Sequence, residues 1–171
     1  MIHLYHGDGK GKTTAAMGLA LRAAGSGLNV VIVQFLKGRE SGEIELLDAM
    51  PDVTVLRGKN GCKFSAQMDP GERRAATAIH EENLQEALAL AYSGACDMLI
   101  LDEALGALST GLLGVETVRG IVTNPPPGLE LVLTGRKPPA FITDAADYIT
   151  EMRCIRHPYT KGVAARRGIE W

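Results

Sequence analysis

The sequence has few cysteines, few aromatic side chains and no excess of charge of either sign. Its three cysteines, Cys62, Cys96 and Cys154, include no Cys-x-x-Cys pair, which argues against a disulfide framework or a zinc site and favours a reducing cytoplasm. The net charge of −2 provides no broad basic surface for nucleic acid. No apolar run approaches the roughly 20 residues of a membrane span, and no signal peptide is recognised. These absences predict a cytoplasmic globular protein that binds neither nucleic acid nor a membrane.

Short apolar segments alternate with helix-like segments along the chain, which is the pattern of a parallel α/β fold. The predicted strands are IHLY, NVVIVQFLKG, VTVL, DMLILDE, LELVLTGR and YITEMRCIRH, and the last dozen residues are predicted to be an extended tail. The predicted helices are TTAAMGLALRAAG, a long helix that begins at DPGE, GVETVRGIV and PPAFITDAAD. A chain of 171 residues suits one domain, residues 1–171, with a mainly parallel central sheet flanked by helices.

Helix boundaries are marked by capping residues. In DPGE, Asp69 is the predicted N-cap, Pro70 occupies the first helical position, and Glu72 completes a capping box. Gly25 and Gly94 are predicted to end the first helix and the long helix, respectively.

The stretch GDGKGKTT, between the first strand and the first helix, has the composition of a phosphate-binding loop. Its glycines let backbone N–H groups converge on phosphate oxygens, and the helix N-terminus adds partial positive charge. Lys12 supplies a full charge, and Thr13 supplies a hydroxyl for a metal ion bound to the phosphates. The spelling is unusual, because His6 stands where such loops commonly have their first glycine. The predicted ATP-binding residues of the loop are Gly7, Asp8, Gly9, Lys10, Gly11, Lys12, Thr13 and Thr14.

A pair of carboxylates, Asp102 and Glu103, ends the predicted strand DMLILDE. Beside a phosphate loop, carboxylates at a strand end hold Mg²⁺ (or Mn²⁺) directly or through water. The predicted metal site is therefore Thr13, Asp102 and Glu103, and the sequence does not decide which carboxylate touches the metal. The predicted catalytic residues are Lys12, Thr13 and Glu103.

Several of these motifs together resemble one known family. The loop GDGKGKTTAA, the segments VVIVQFLKG, LILDE and LVLTGR, and the closing KGVAARRGIE are similar to the P-loop class of ATP:corrinoid adenosyltransferases, and the resemblance covers nearly the whole chain. It implies a RecA-like P-loop domain that transfers the 5′-deoxyadenosyl group of ATP to the cobalt(I) of a reduced corrinoid and releases tripolyphosphate, in cobalamin biosynthesis or salvage. It also implies that ATP is held in reverse, with the α-phosphate where other P-loop enzymes hold the γ-phosphate. Because cobalt(I) is a strong nucleophile, no Ser/His/Asp or Cys/His arrangement is required.

The resemblance also implies roles for residues outside the two motifs. It assigns Arg22 to ATP and Gln34, Lys37 and Arg136 to the corrinoid. In CKFSAQ, Phe64 aligns with an aromatic residue that displaces the lower axial ligand of cobalt, whereas Ala66 stands where the family has tryptophan. A reduced flavin or flavoprotein is the implied electron donor, and the implied assembly is a homodimer.

Two other function classes fit the phosphate and metal motifs. A conventional P-loop ATPase or kinase would cleave at the γ-phosphate, with Glu103 orienting a water molecule. A non-catalytic nucleotide-binding module would leave ATP intact. The products of ATP separate the three hypotheses: tripolyphosphate, ADP, or none.

Overall fold

The computed structural model describes residues 1–37, 42–58 and 65–169, and within them six strands form one sheet in which every pairing is parallel. The strands are β1 (Ile2–His6), β2 (Val30–Gln34), β3 (Val53–Arg57), β4 (Met98–Asp102), β5 (Glu130–Gly135) and β6 (Tyr148–Glu151). The helices are α1 (Lys12–Ala24), α2 (Gly42–Asp48), α3 (Pro70–Tyr92), α4 (Ala104–Ser109), α5 (Val115–Thr123) and α6 (Ala140–Thr143), with 3₁₀ turns at Ser65–Gln67 and Pro158–Lys161. The order across the sheet is β3-β2-β4-β5-β1-β6.

Two apolar layers cover the sheet, because alternate residues of each strand point to opposite faces. On one face, Ile32, Ile100 and Val132 pack with the buried side of α1. On the other face, their neighbours Val33, Leu101 and Leu133 pack in a larger cluster that includes residues of α3, α4 and α5. Every residue of β2 and β4 is buried, which accounts for their nearly continuous apolar sequences.

The α/β architecture and the helix caps predicted from the sequence are confirmed. Asp69 Oδ1 accepts hydrogen bonds from Gly71 N (2.7 Å) and Glu72 N (2.8 Å), and Glu72 Oε2 accepts one from Asp69 N (3.0 Å). Gly25 is the C-cap of α1, and Gly94 follows the end of α3 with a φ of 79°.

Several predicted boundaries were wrong. The second strand ends at Gln34, before the end of NVVIVQFLKG, because Leu36 turns the chain with a φ of 57°. The last strand ends at Glu151, six residues before the end of YITEMRCIRH at His157. Helices α2 and α4 were not predicted, and a 3₁₀ turn, Pro158–Lys161, overlaps the start of the predicted extended tail.

All four residues of the edge strand β6 are exposed, including Tyr148 and Ile149 at about half of their surface. Among the residues that the structure describes, no helix combines the length and apolar character needed to cross a bilayer.

Candidate active site

A row of polar residues crosses the carboxyl ends of three neighbouring strands. Gln34 of β2 lies opposite Asp102 of β4, and Leu101 lies opposite Leu133, so that Thr134 of β5 follows beside Asp102. All three members of the row, Gln34, Asp102 and Thr134, are buried. They lie two residues after the layer that packs on α1, and therefore point to the face where α1 begins. Ligands of parallel α/β sheets bind at this end of the strands.

The phosphate loop lies directly against the C-terminal part of the chain. Gly9 N donates a hydrogen bond to Met152 O (2.7 Å), and Met152 N donates one to His6 O (2.7 Å). A Cβ atom at Gly7 or Gly9 would lie 2.5 or 2.6 Å from Met152 O, and Gly7 also has a φ of 109°. Both positions therefore require glycine for packing against Met152, and Gly7 requires it for its backbone conformation as well.

Lys12 and Thr13 begin α1 and point toward the polar row. Lys12 Nζ donates to Gly9 O at 2.7 Å, within its own loop. Burial lowers the pKa of Lys12, and the nearby Glu103 acts in the opposite direction. Thr13 Oγ1 donates to Asp102 Oδ1 at 3.0 Å, which joins the phosphate loop to β4 although β5 lies between β1 and β4.

Asp102 is fully buried, and four side chains donate hydrogen bonds to its carboxylate. Oδ1 accepts from Thr134 Oγ1 (2.7 Å) and Thr13 Oγ1 (3.0 Å). Oδ2 accepts from Lys37 Nζ (2.6 Å) and Gln34 Nε2 (3.1 Å). These four hydrogen bonds satisfy a buried carboxylate and so offset the cost of burying it.

Glu103 has a strained backbone and a less engaged side chain. Its φ of 60° is in the left-handed region, and its N–H donates to Thr134 Oγ1 at 2.9 Å. Burial raises the pKa of Glu103, the neighbouring Asp102 adds to the rise, and nearby cations, Lys37 foremost, oppose it. Strain of this kind occurs where the surrounding structure holds a functional group in place.

The donor set fits a magnesium ion that arrives with a nucleotide. Thr13, Asp102 and Glu103 supply oxygen atoms, and Gln34 Oε1 is buried with no donor among the described residues, as an acceptor for a metal-bound water would be. Within the described ranges no three His, Cys, Asp or Glu side chains form a metal cage. One or two carboxylates completed by substrate phosphates are the usual magnesium site, so the fit is to Mg²⁺ bound with phosphate.

His80 of α3 supports the turn that carries Lys37. This buried imidazole accepts a hydrogen bond from Leu36 N through Nε2 (3.4 Å), while Nδ1 lies 3.1 Å from Leu112 O. The two contacts require opposite roles of the two nitrogens, which is the neutral tautomer with the proton on Nδ1. Burial lowers the pKa of His80, in agreement with a neutral ring. No motif in the sequence marks His80, because both of its partners are distant along the chain.

A cavity of about 520 Å³ adjoins the outer side of the phosphate loop. Its cationic lining residues are Lys10, Arg153, Arg156 and Arg166, and no acidic residue lines its described wall. The wall is tied to the loop, because Cys154 N donates to Asp8 Oδ1 at 3.2 Å. This cavity extends the positive region of the phosphate loop beyond Lys12.

The remaining predicted site residues lie in different parts of the structure. Arg136 is exposed after β5, close enough for its charge to add to the lowering of the pKa of Lys12 and to oppose the rise in the pKa of Glu103.

Arg22 lies in the last turn of α1, ten residues or roughly 15 Å along the helix from Lys12, and its charge opposes the rise that burial causes in the pKa of Tyr5. Thr14 is exposed in the first turn of α1. Phe64 lies outside the described residues, as Cys62 does.

One family model and several known proteins match this chain over nearly its whole length. The whole chain, residues 1–171, matches the family model described as ATP:corrinoid adenosyltransferase BtuR/CobO/CobP. The corrinoid adenosyltransferase of Escherichia coli strain K12 is 33% identical over 177 residues, which span 100% of this chain and 85% of that protein. The corrinoid adenosyltransferase CobA of Salmonella typhimurium strain LT2 is 33% identical over 172 residues, with 100% and 85% covered. The solved structure of EssC (ATPases 2 and 3) from Geobacillus thermodenitrificans matches 98% of this chain and 34% of its own, at 13% identity and a TM-score of 0.53, which shows a shared fold.

Proposed function

Because the chain belongs to the ATP:corrinoid adenosyltransferase family, we propose that it transfers the 5′-deoxyadenosyl group of ATP to the cobalt(I) of a reduced corrinoid and releases tripolyphosphate. The family match and the curated relatives support the coarser statement directly: the protein is an enzyme that adenosylates a corrinoid at the expense of ATP, in cobalamin biosynthesis. The finer statement concerns which bond breaks and how the phosphates leave.

The observation that carries the finer proposal is the set of cations beside the phosphate loop, namely Lys12 at its end and the cationic cavity that Lys10 lines. In the proposed step the electron pair of cobalt(I) forms the bond to the 5′ carbon, and the bond between that carbon and the α-phosphate oxygen breaks. All three phosphates then leave as one group whose charge rises as the bond breaks. Lys12 and the cationic cavity, with Lys10, Arg153 and Arg156, line the path on which such a group would be held. Preorganised cations of this kind stabilise a developing anion more than they stabilise the substrate.

Thr13, Asp102 and Glu103 are the residues that would hold Mg²⁺ (or Mn²⁺), which when bound offsets the negative charge of the phosphates. The two carboxylates have different parts in this proposal. Asp102 already accepts four hydrogen bonds and anchors Thr13, whereas no hydrogen bond to the Glu103 carboxylate is seen among the described residues. Glu103 is therefore the proposed direct carboxylate ligand, with Asp102 acting through Thr13 and through water.

Acceptor binding is proposed at the exposed carboxyl end of the sheet. Of the residues assigned to the corrinoid, Arg136 is exposed there and able to meet a large ligand. Gln34 is 1% exposed and bonded to Asp102, so its support for transfer is proposed to run through that carboxylate. The assignment of Phe64 to ligand displacement stays a prediction, as does that of Arg22 to ATP.

The proposal extends to the cellular setting, the electron donor and the assembly of the enzyme. The free thiols Cys96 and Cys154 suit a reducing cytoplasm, where a reduced flavin or flavoprotein would supply the electron for cobalt. The exposed edge strand β6 offers a surface for a homodimer.

The test combines product analysis with one substitution. Protein, Mg-ATP and a chemically reduced corrinoid are incubated without oxygen, and the corrinoid spectrum and the phosphate products are followed together. Equal amounts of a light-sensitive adenosylated corrinoid and tripolyphosphate are expected. Lys12→Ala should lower kcat by about 10²-fold or more through loss of leaving-group stabilisation, whereas Lys161→Ala, an exposed lysine of the tail, should not. ADP as the product, with unchanged corrinoid, would indicate a conventional P-loop ATPase and defeat the proposal.

A further inference from the structure

Lys37 occupies the space between the two groups that would share a metal ion. Its Nζ lies 2.6 Å from Asp102 Oδ2 and 2.8 Å from Thr13 Oγ1. The carboxylate is fully buried, whereas the lysine side chain is 30% exposed. The ammonium group thus enters from the solvent side and caps the pair.

The contact uses an electron pair that a metal ion could take. Thr13 Oγ1 donates its proton to Asp102 and accepts a hydrogen bond from Lys37, so one of its two lone pairs is already occupied. A divalent ion at the same oxygens would also lie a few ångströms from the ammonium charge, and like charges repel strongly in a partly buried site. Lys37 and a divalent ion therefore compete for Thr13 Oγ1 and for the negative charge of the nearby Asp102.

The backbone before Lys37 is held by hydrogen bonds that do not involve its ammonium group. Phe35 N donates to Asp102 O (3.0 Å), and Leu36 N donates to His80 Nε2 (3.4 Å). When the ammonium leaves, Oδ2 of Asp102 keeps the hydrogen bond from Gln34. Displacement therefore requires rotation of the flexible four-carbon stem and no rearrangement of the sheet.

We propose that Lys37 is a built-in cation that keeps free divalent ions out of the site and gives way only when the metal arrives together with ATP. This inference rests on the proposed metal role of Thr13, Asp102 and Glu103. A bare divalent ion has to displace Lys37 and leave an ammonium without an anion. Metal-bound ATP brings phosphate oxygens that give the displaced ammonium a new partner, so the metal and the nucleotide bind as a unit.

The test measures Mn²⁺ binding without any turnover, from the electron paramagnetic resonance signal of free Mn²⁺. Nucleotide-free wild-type protein is compared with Lys37→Met, which keeps a long stem and loses the charge, and with Lys161→Met as the charge-matched control. Lys37→Met is expected to bind Mn²⁺ roughly 10-fold more tightly than wild type, since a competing buried ion pair is removed. Lys161→Met is expected to match wild type. With saturating ATP, where protein-bound Mn²⁺ is separated from free Mn-ATP by ultrafiltration, the Lys37→Met advantage is expected to shrink to about 3-fold or less.

Two further variants separate this inference from the proposed function. Glu103→Gln and Thr13→Ala mark the metal site, and circular dichroism checks that each variant is folded. If they weaken Mn²⁺ binding while Lys37→Met binds no more tightly than wild type, Lys37 is no competitor, although the metal site stands. If no variant and no wild-type sample binds Mn²⁺ even with ATP, the metal assignment and the competition both fall, and adenosyl transfer is judged separately from its products.

Discussion

Replacing Thr134 with valine removes one hydroxyl from the buried polar row and leaves the shape of the side chain almost unchanged. That hydroxyl has two partners: it donates to Asp102 Oδ1 at 2.7 Å and accepts from Glu103 N at 2.9 Å. Thr134 is 0% exposed, so water cannot take over either bond without repacking. The substitution therefore tests whether this hydroxyl orders both carboxylates.

The expected cost follows from the two groups left behind. A buried donor or acceptor that loses its partner costs about 1–3 kcal/mol. Asp102 Oδ1 retains Thr13, whereas Glu103 N loses the acceptor that the structure gives it. The free energy of unfolding should thus fall by about 2–4 kcal/mol, against the roughly 5–15 kcal/mol typical of a domain. Because both carboxylates are positioned through Thr134, kcat for adenosyl transfer should also fall, by about 10–100-fold.

Urea denaturation measures the first effect, and the anaerobic transfer assay measures the second. Thr134→Ser is the matched control, because it keeps the hydroxyl and loses one methyl group, at a cost of about 1 kcal/mol. Thr134→Val must be less stable and less active than Thr134→Ser. The reverse order, or a valine variant as stable as wild type, would show that packing of the methyl group and not the hydrogen-bonded hydroxyl matters at this position.

Two further predictions follow from buried titratable groups. Burial lowers the pKa of His80 below its usual 6.5, so below about pH 6.5 the unfolded chain binds more protons than the folded protein and the free energy of unfolding declines as pH falls. His80→Gln should reduce this decline in urea titrations at a series of pH values. An unchanged decline would assign it to other groups. Burial raises the pKa of Cys96 to about 11, so a thiol reagent at pH 8 should label the exposed Cys154 and spare Cys96 until the protein unfolds. Peptide mass mapping locates the label, and rapid labelling of Cys96 in the folded protein would contradict its buried position.

Local signals in the sequence were sufficient for most of the fold. The capping box at Asp69 acts within a few residues, so its structure follows from the local sequence, whereas the need for glycine at Gly7 and Gly9 also comes from contact with the distant Met152. Helix α4 was missed because its six residues are too few to show a helical period, and it begins directly after the left-handed Glu103. The second strand was predicted too long for a different reason. Apolar character continues through Phe35 and Leu36, and what ends the strand is the turn at Leu36, whose N–H is bonded to His80 of a distant helix.

The residues of the candidate site that belong to motifs were predictable, whereas the side chains that hold them in place were not. Lys12, Thr13, Asp102 and Glu103 belong to motifs that can be recognised along the chain. Thr134 gains its role only because β5 lies between β1 and β4, and strand order is not encoded in any one segment.

Register explains why the polar row forms at all. Ile32, Ile100 and Val132 face α1, and the pleat brings the residues two positions later to the same face. A slip of β4 by one residue would place Leu101 or Glu103 between Gln34 and Thr134, and would turn its whole apolar set to the wrong layer. The apolar residues that pack the sheet therefore also fix which carboxylate meets Thr13. Substitutions that loosen the apolar layer under α1 should therefore lower activity by displacing Asp102, even where the substituted residue contacts no polar atom.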